Sequence, residues 1–181
     1  WNIGGGSGNP KKIYMYDKNM GFSCVDFQTP RFRKTTNGGF NWFDINDNDF
    51  YDIKFIDSLT GWKVNGTSVK KTTDGGINWT VQTTPPIIEF GGIKMSVVNK
   101  DTIWFVGSSV YKYGNYYGVI HITTNGGLIW GYQIPDTSIK IDKYYHVSFT
   151  NRNNGWAFQD SNGVHTKSGG NDTTYYTAIN N

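Results

Sequence analysis

Residues 71–79 read KTTDGGINW, and nearly the same nine residues stand at 34–42 as KTTNGGFNW and at 122–130 as ITTNGGLIW. Asp74, Asn37 and Asn125 hold one position of the phrase, from which a side-chain oxygen accepts hydrogen bonds from amides further round a turn. Gly39, Gly76 and Gly127 supply backbone angles closed to other residues. Trp42, Trp79 and Trp130 follow on a strand that folds back to bury a large ring, worth roughly 1.5–3 kcal/mol or more apiece when covered. A phrase repeated with these residue types reads as framework, not as a catalytic centre.

A second phrase lies upstream: MYDKNMGF at 15–22, FIDSLTGW at 55–62, VVNKDTIW at 97–104 and FTNRNNGW at 149–156. The fourth copy is followed by a degenerate partner, HTKSGGNDT at 165–173, in which Ser168 takes the Asp position, Gly170 the glycine position and Thr173 the Trp position. In the second unit the predicted strands end near Phe55, run through Trp62 to Val64, from Ser68 to Thr72, and from Asn78 to Val81. Trp42 and Trp79 lie 37 residues apart, Trp79 and Trp130 51 apart. A four-stranded antiparallel meander of that length is one blade of a β-propeller.

The fold class is therefore all-β, a propeller with blades expected at 9–45, 46–84, 85–137 and 138–181. Trp1 stands 12 residues before Ile13, much as Trp42 stands 11 before Ile53. Residues 1–8 thus read as the end of a preceding blade. TTYYTAI at 173–179 reads as the outer strand of the last blade, which makes the leading strand surplus. Four blades with a surplus strand read as part of a larger ring of about six to eight.

Composition agrees with strands and turns: 19 Asn, 23 Gly and a single Glu (Glu89), with 17% aromatic residues. The net charge of +3 comes from scattered Lys and Arg, with no basic run to track phosphates, so nucleic acid is not an expected partner. Cys24 stands alone and reads as a small buried side chain. No segment approaches the ~18 apolar residues of a membrane span. The chain begins with Trp, not with a Met and an apolar targeting run, so any signal peptide would lie outside it.

The pattern Thr72, Asp74, Gly76, Trp79 resembles the Asp-box, also called the BNR repeat. Its pairing with an upstream Gly-Trp strand is similar to propellers of the photosystem II stability and assembly factor type, also common in secreted proteins of bacteria that use type IX secretion. The resemblance covers essentially the whole chain and implies an extracellular or cell-surface protein. It does not choose a function, because Asp-boxes occur in sialidases, other glycosidases, sortilin-like receptors and assembly factors alike.

A sialidase-like hydrolase needs three converging arginines, a Tyr and Glu pair, and an Asp. The chain has Arg31, Arg33 and Arg152 and one Glu, and no catalytic residue is assigned. His121, His146 and His165 lack short ligand spacing and read as strand or turn residues. DINDND at 44–49 has Asp44, Asn46 and Asn48 on alternate positions, but Asp49 replaces the glycine of a calcium loop and Phe55 its closing Glu. It reads as a solvated connector, and neither metal nor cofactor is implied.

Binding finds more support. Turns between first and second and between third and fourth strands emerge on one face of a propeller; second-to-third turns and interblade connections emerge on the other. The long second-to-third connection of the third unit, SSVYKYGNYYG at 108–118, lies on that other face, with DINDND and TPPIIEFGG (84–92). Trp104 to Asn125 spans 21 positions, against 12 from Trp62 to Asp74 and 12 from Trp156 to Ser168. Tyr111, Tyr113, Asn115, Tyr116 and Tyr117 on it suit protein or glycan recognition. Two alternatives stand beside this: the tyrosines cover their own stem, or the fragment is a spacer without a ligand.

Overall fold

The structure, a computed structural model, describes residues 9–26, 31–87, 89, 91–135, 137–160, 162–170 and 174–175. Every element among them is a strand. The first sheet contains β1 (Asn9–Met15), β2 (Gly21–Asp26), β3 (Arg31–Thr35) and β4 (Phe43–Ile45). The second contains β5 (Asp52–Phe55), β6 (Gly61–Val64), β7 (Val69–Thr72) and β8 (Thr80–Val81). The third is built on β9 (Lys94–Val97), β10 (Ile103–Lys112), β11 (Asn115–Thr123) and β12 (Gly131–Gln133). The fourth contains β13 (His146–Phe149), β14 (Gly155–Gln159) and β15 (Asn162–Thr166). Neighbouring strands pair antiparallel in chain order, as in a meander.

The upstream phrase makes the first turn of every sheet by the same device. One Asx side-chain oxygen accepts two amides, from Asn19 and Met20 on Asp17 (2.6 and 2.7 Å), and from Leu59 and Thr60 on Asp57 (2.7 and 2.6 Å). Asn99 and Asn151 repeat it with the amides of Asp101 and Thr102 and of Asn153 and Asn154. The first glycine of the later turn then donates its amide to this loop: Gly38 to Asn19, Gly75 to Leu59, Gly126 to Asp101 and Gly169 to Asn153, at 2.7–2.9 Å. Both repeated phrases therefore share one face.

First strands lie side by side, β5 against β9 and β9 against β13, and the amide of Phe55 donates to the Tyr14 hydroxyl on β1 at 3.1 Å. Three apolar cores fill the junctions between successive sheets. Phe22, Phe32 and Phe55 centre the first, Trp62, Val69 and Phe105 the second, and Trp104, Ile120 and Phe149 the third.

The last strand departs from the sequence reading. β16 (Thr174–Tyr175), expected as the outer strand of the fourth sheet, pairs with β12 of the third, Tyr175 opposite Gly131 and Thr174 opposite Tyr132. The outer edge of β12 offers unpaired backbone groups that the returning chain satisfies. The fourth unit also carries Thr173 where the others carry a tryptophan. The expected leading strand at 1–8 lies outside the described residues.

Ile13 and Met15 on β1 are 65% and 39% exposed, whereas their equivalents on β5, Ile53 and Phe55, are 1% and 9% exposed. In the second and later sheets these positions face the sheet before. Among the described residues no sheet precedes the first, and Ile13 and Met15 on that flank are exposed.

Candidate functional site

The repeated glycine turn is organised around a threonine that sequence reasoning placed in the pattern but not among the site residues. Thr72 Oγ1 accepts the Gly76 amide at 2.9 Å and donates to Asp74 Oδ1 at 2.8 Å. The Asp74 carboxylate accepts the amides of Asn78 (3.0 Å) and Ile77 (3.1 Å) and the Asn78 side chain (2.8 Å). The Asn78 amide is the main cause that draws its pKa down to about 2. Asn37 and Asn125 each accept one amide in the same place, from Asn41 and Ile129, at 2.9 Å. In the fourth unit Thr166 still receives Gly170 at 2.8 Å, and Ser168 Oγ lies 3.5 Å from the threonine oxygen.

The later turns also lean on the sheet before them. Gly76 has φ +84°, and a Cβ there would meet the Phe22 ring of the first sheet at 2.6 Å. Trp79 donates Nε1 to the Gly76 carbonyl at 3.0 Å and packs edge-on to Phe22 and Phe55, with centroids 6.4 and 5.9 Å away. Trp130 is buried among Trp62, Val64 and Val69 of the second sheet. The repeated tryptophans at 79 and 130 are wedges between sheets. Trp42, which has no described sheet before it, is half-buried, as is Trp79, whereas Trp130 is fully buried.

On the opposite face, residues 108–118 are strand and not loop. β10 and β11 stay paired from Ile103–Thr123 to Lys112–Asn115, and a two-residue turn closes them at Tyr113 (φ 51°) and Gly114 (φ 80°), the angles of a type I′ hairpin. Tyr111 and Tyr116 stand directly opposite each other with ring centroids 5.0 Å apart. Tyr113 is 79% exposed at the tip, and Lys112 Nζ lies 5.2 Å from its ring centre. Asn115 donates its side-chain amide back to the Tyr113 carbonyl at 3.3 Å. Tyr117 lies half-buried on the other side of the ribbon, apart from this group.

The stem is held on both flanks. Glu89 bridges Ser109 through both backbones and accepts its hydroxyl at 3.0 Å, while the Gly118 amide donates to the Ile141 carbonyl at 2.8 Å. A rigid stem thus presents aromatic rings and a cation to solvent.

The connector at 44–49 is solvated at Asp44, Asn46 and Asn48, as expected, but anchored at Asp47. Asp44 pairs with Arg33 (2.9 Å) and Arg31 (3.4 Å). Asp47 is nearly buried between Lys70 and Lys63. Lys63 is fully buried, donates to the Asn48 carbonyl and sits 4.0 Å from the centre of the Phe32 ring. Burial lowers its pKa to about 8, against the pull of Asp47. Burial alone would raise the Asp47 carboxyl, but the Lys70 hydrogen bond and the Lys63 charge outweigh it, so its pKa falls. The pair locks the connector to the second sheet; sequence reading missed it because a lysine in a strand gives no signal of burial.

Cys24 is buried, accepts the Phe50 amide at 3.3 Å, and burial pushes its thiol up to about 11, far from a nucleophile. His121 is buried and stacked on Phe105 at 4.2 Å, its pKa lowered by burial to about 3. His165 stacks on Trp156 at 4.5 Å, and His146 is exposed on β13. Among the described residues no three His, Cys, Asp or Glu side chains are grouped to hold a metal. Arg31 and Arg33 share Asp44 on the first sheet, whereas Arg152 lies in the first turn of the fourth.

No family model and no curated protein matches the chain. Among solved structures it is similar to YCF48 bound to D1 peptide, with a TM-score of 0.51 and 13% identity, over 92% of this chain and 69% of that one. YCF48 from Cyanidioschyzon merolae gives a TM-score of 0.35 and 13% identity, over 90% of this chain and 68% of that one. The fold is an open, partial β-propeller. Its blades are the four sheets, with glycine turns on one face and the tyrosine ribbon on the other. No described helix is long and apolar enough to cross a membrane.

Proposed function

We propose that this chain is part of an Asp-box propeller that makes protein contacts through the β10–β11 ribbon and catalyses nothing. The observation that carries this is Tyr113, 79% exposed on a type I′ tip beside the paired rings of Tyr111 and Tyr116, on a stem braced by Glu89 and Ile141. Solvent-facing tyrosines on a rigid support lose little conformational freedom on binding, which is the economy recognition surfaces exploit. YCF48, a propeller of the same general build, is bound to a D1 peptide in its structure, which supports a polypeptide partner. A glycan partner suits the same rings. The open flank at Ile13 and Met15 supports further blades completing the ring. An extracellular or cell-surface location follows from the Asp-box resemblance alone.

The test is a peptide array and a glycan array probed with the wild-type protein and with Tyr113→Ser. Binding on either array that the substitution reduces at least tenfold supports the reading. Binding that is indifferent to Tyr113, or no binding on both arrays, contradicts it.

A further inference from the structure

Two junctions of this propeller are plugged by large side chains from the following blade. Between the first and second blades the plug is Trp79 with Lys63, which lies 5.1 Å from the Trp79 ring centre. Between the second and third it is Trp130 with Phe105, whose ring centroids are 5.1 Å apart. In repeat register the fourth blade has Ala157 where these have Lys63 and Phe105, and Thr173 where they have Trp79 and Trp130. Ala157 is too small to plug its junction as Lys63 and Phe105 do.

The junction of the third and fourth blades accordingly contains a cavity of about 320 Å³. Ile120, Phe149 and Ala157, the equivalents of Phe32, Phe55 and Lys63 around Trp79, line it, together with Pro135, Ile139 and Val164. Ile139 and His165 at its rim are exposed. Two of its polar lining groups are already engaged. Gln133 Nε2 donates to the Gly169 carbonyl at 2.8 Å, and Thr166 Oγ1 accepts the Gly170 amide at 2.8 Å. His165 Nε2 lies 2.9 Å from Asn154 Oδ1. The exposed lining is mostly apolar, so shape and apolar surface dominate what it can recognise. An apolar cavity of about 150 Å³ suffices to take up benzene, so this one has room for a two-ring aromatic.

We propose that the cavity between the third and fourth blades is a binding site for a free planar aromatic molecule of indole size. The argument for that occupant is internal: the same fold, at the corresponding place in the two preceding junctions, is closed by an indole ring.

The experiment is titration of the full chain with indole, followed by amide chemical shifts. Saturable shifts are expected at Ile120, Ala157 and Val164 and not at Tyr113. Ala157→Leu, which grows into the cavity from its wall, is expected to weaken indole at least tenfold. Val164→Phe, which grows into the cavity from β15, is expected to do the same and serves if Ala157→Leu does not fold. Absence of saturable shifts at millimolar indole overturns the proposal, as does unchanged indole binding in a folded Ala157→Leu or Val164→Phe protein.

Discussion

Lys71 reaches across a blade boundary and donates from Nζ to the backbone carbonyl of Gly126 at 2.9 Å. The third strand of the second blade thereby holds the glycine turn of the third, and Gln133, on the fourth strand of the third blade, holds the turn of the fourth at Gly169. Blade-to-blade order is built into the repeat itself. Lys71→Met removes the donor together with the ammonium that lies 5.1 Å from the Trp62 ring centre. It is expected to cost about 1–2 kcal/mol, the usual worth of one hydrogen bond and one cation–π contact. Urea unfolding that shows no change in midpoint would contradict this.

Asp74 separates charge from shape, because its sister turns use Asn37 and Asn125. Asp74→Ala leaves the amides of Ile77 and Asn78 without their acceptor and is expected to cost about 1–2 kcal/mol. Asp74→Asn keeps one acceptor and is expected to lose less. The folded pKa of Asp74 is depressed from 3.8 to about 2, so its contribution is complete above about pH 4 and is lost as pH falls toward 2. Asp74→Asn removes that acid-dependent part, which acid titrations of the two proteins followed by circular dichroism measure.

Lys63 has the opposite sign. Its folded pKa, lowered to about 8, lies below the ordinary 10.5, so between those values the unfolded chain binds more protons and stability rises with pH. At 1.36 kcal/mol per unit the rise attributable to Lys63 reaches about 3 kcal/mol as an upper bound. Lys63→Met is expected to flatten the stability curve from pH 8 to 10.5. A parallel rise in both proteins would show that other groups cause it.

The open flank of the first blade predicts association. Exposed Ile13 and Met15 occupy positions that are buried in the second blade, and contiguous apolar surface of this kind drives contacts. The chain is expected to self-associate with increasing concentration in sedimentation velocity, and Ile13→Lys with Met15→Lys to return it to monomer. A monomeric wild-type protein at high concentration would count against an interface on this flank.

The blade repeat was legible because its turns are local: Asp17 and Asp57 act on amides two and three residues away, and Asp74 on amides three and four away. The direction in which Trp79 packs was not, since a ring on an outer strand can serve its own blade or the one before, and only the Phe22 contact decides. The buried Lys63–Asp47 pair was hidden for a related reason, its partners being 16 positions apart, one on β6 and one in the connector before β5. The pairing of Thr174–Tyr175 with β12 depends on which edge is free, a property of the assembled sheets. Of the candidate site, the tyrosines at 111, 113 and 116 share the exposed end of the ribbon, while Tyr117 is half-buried on its other side.

The central claim is that the glycine turns build the fold and the tyrosine tip makes the contact. Melting temperature and binding to the array ligands, measured side by side for two variants, test it most directly. Tyr111→Ser, Tyr113→Ser and Tyr116→Ser combined should leave melting nearly unchanged and remove binding, whereas Asp74→Ala should lower melting by roughly 2–8 °C and leave binding intact. A tip variant that loses several kcal/mol, as in truncation of packed aromatics, or an Asp74→Ala protein that melts normally and no longer binds, would contradict the account.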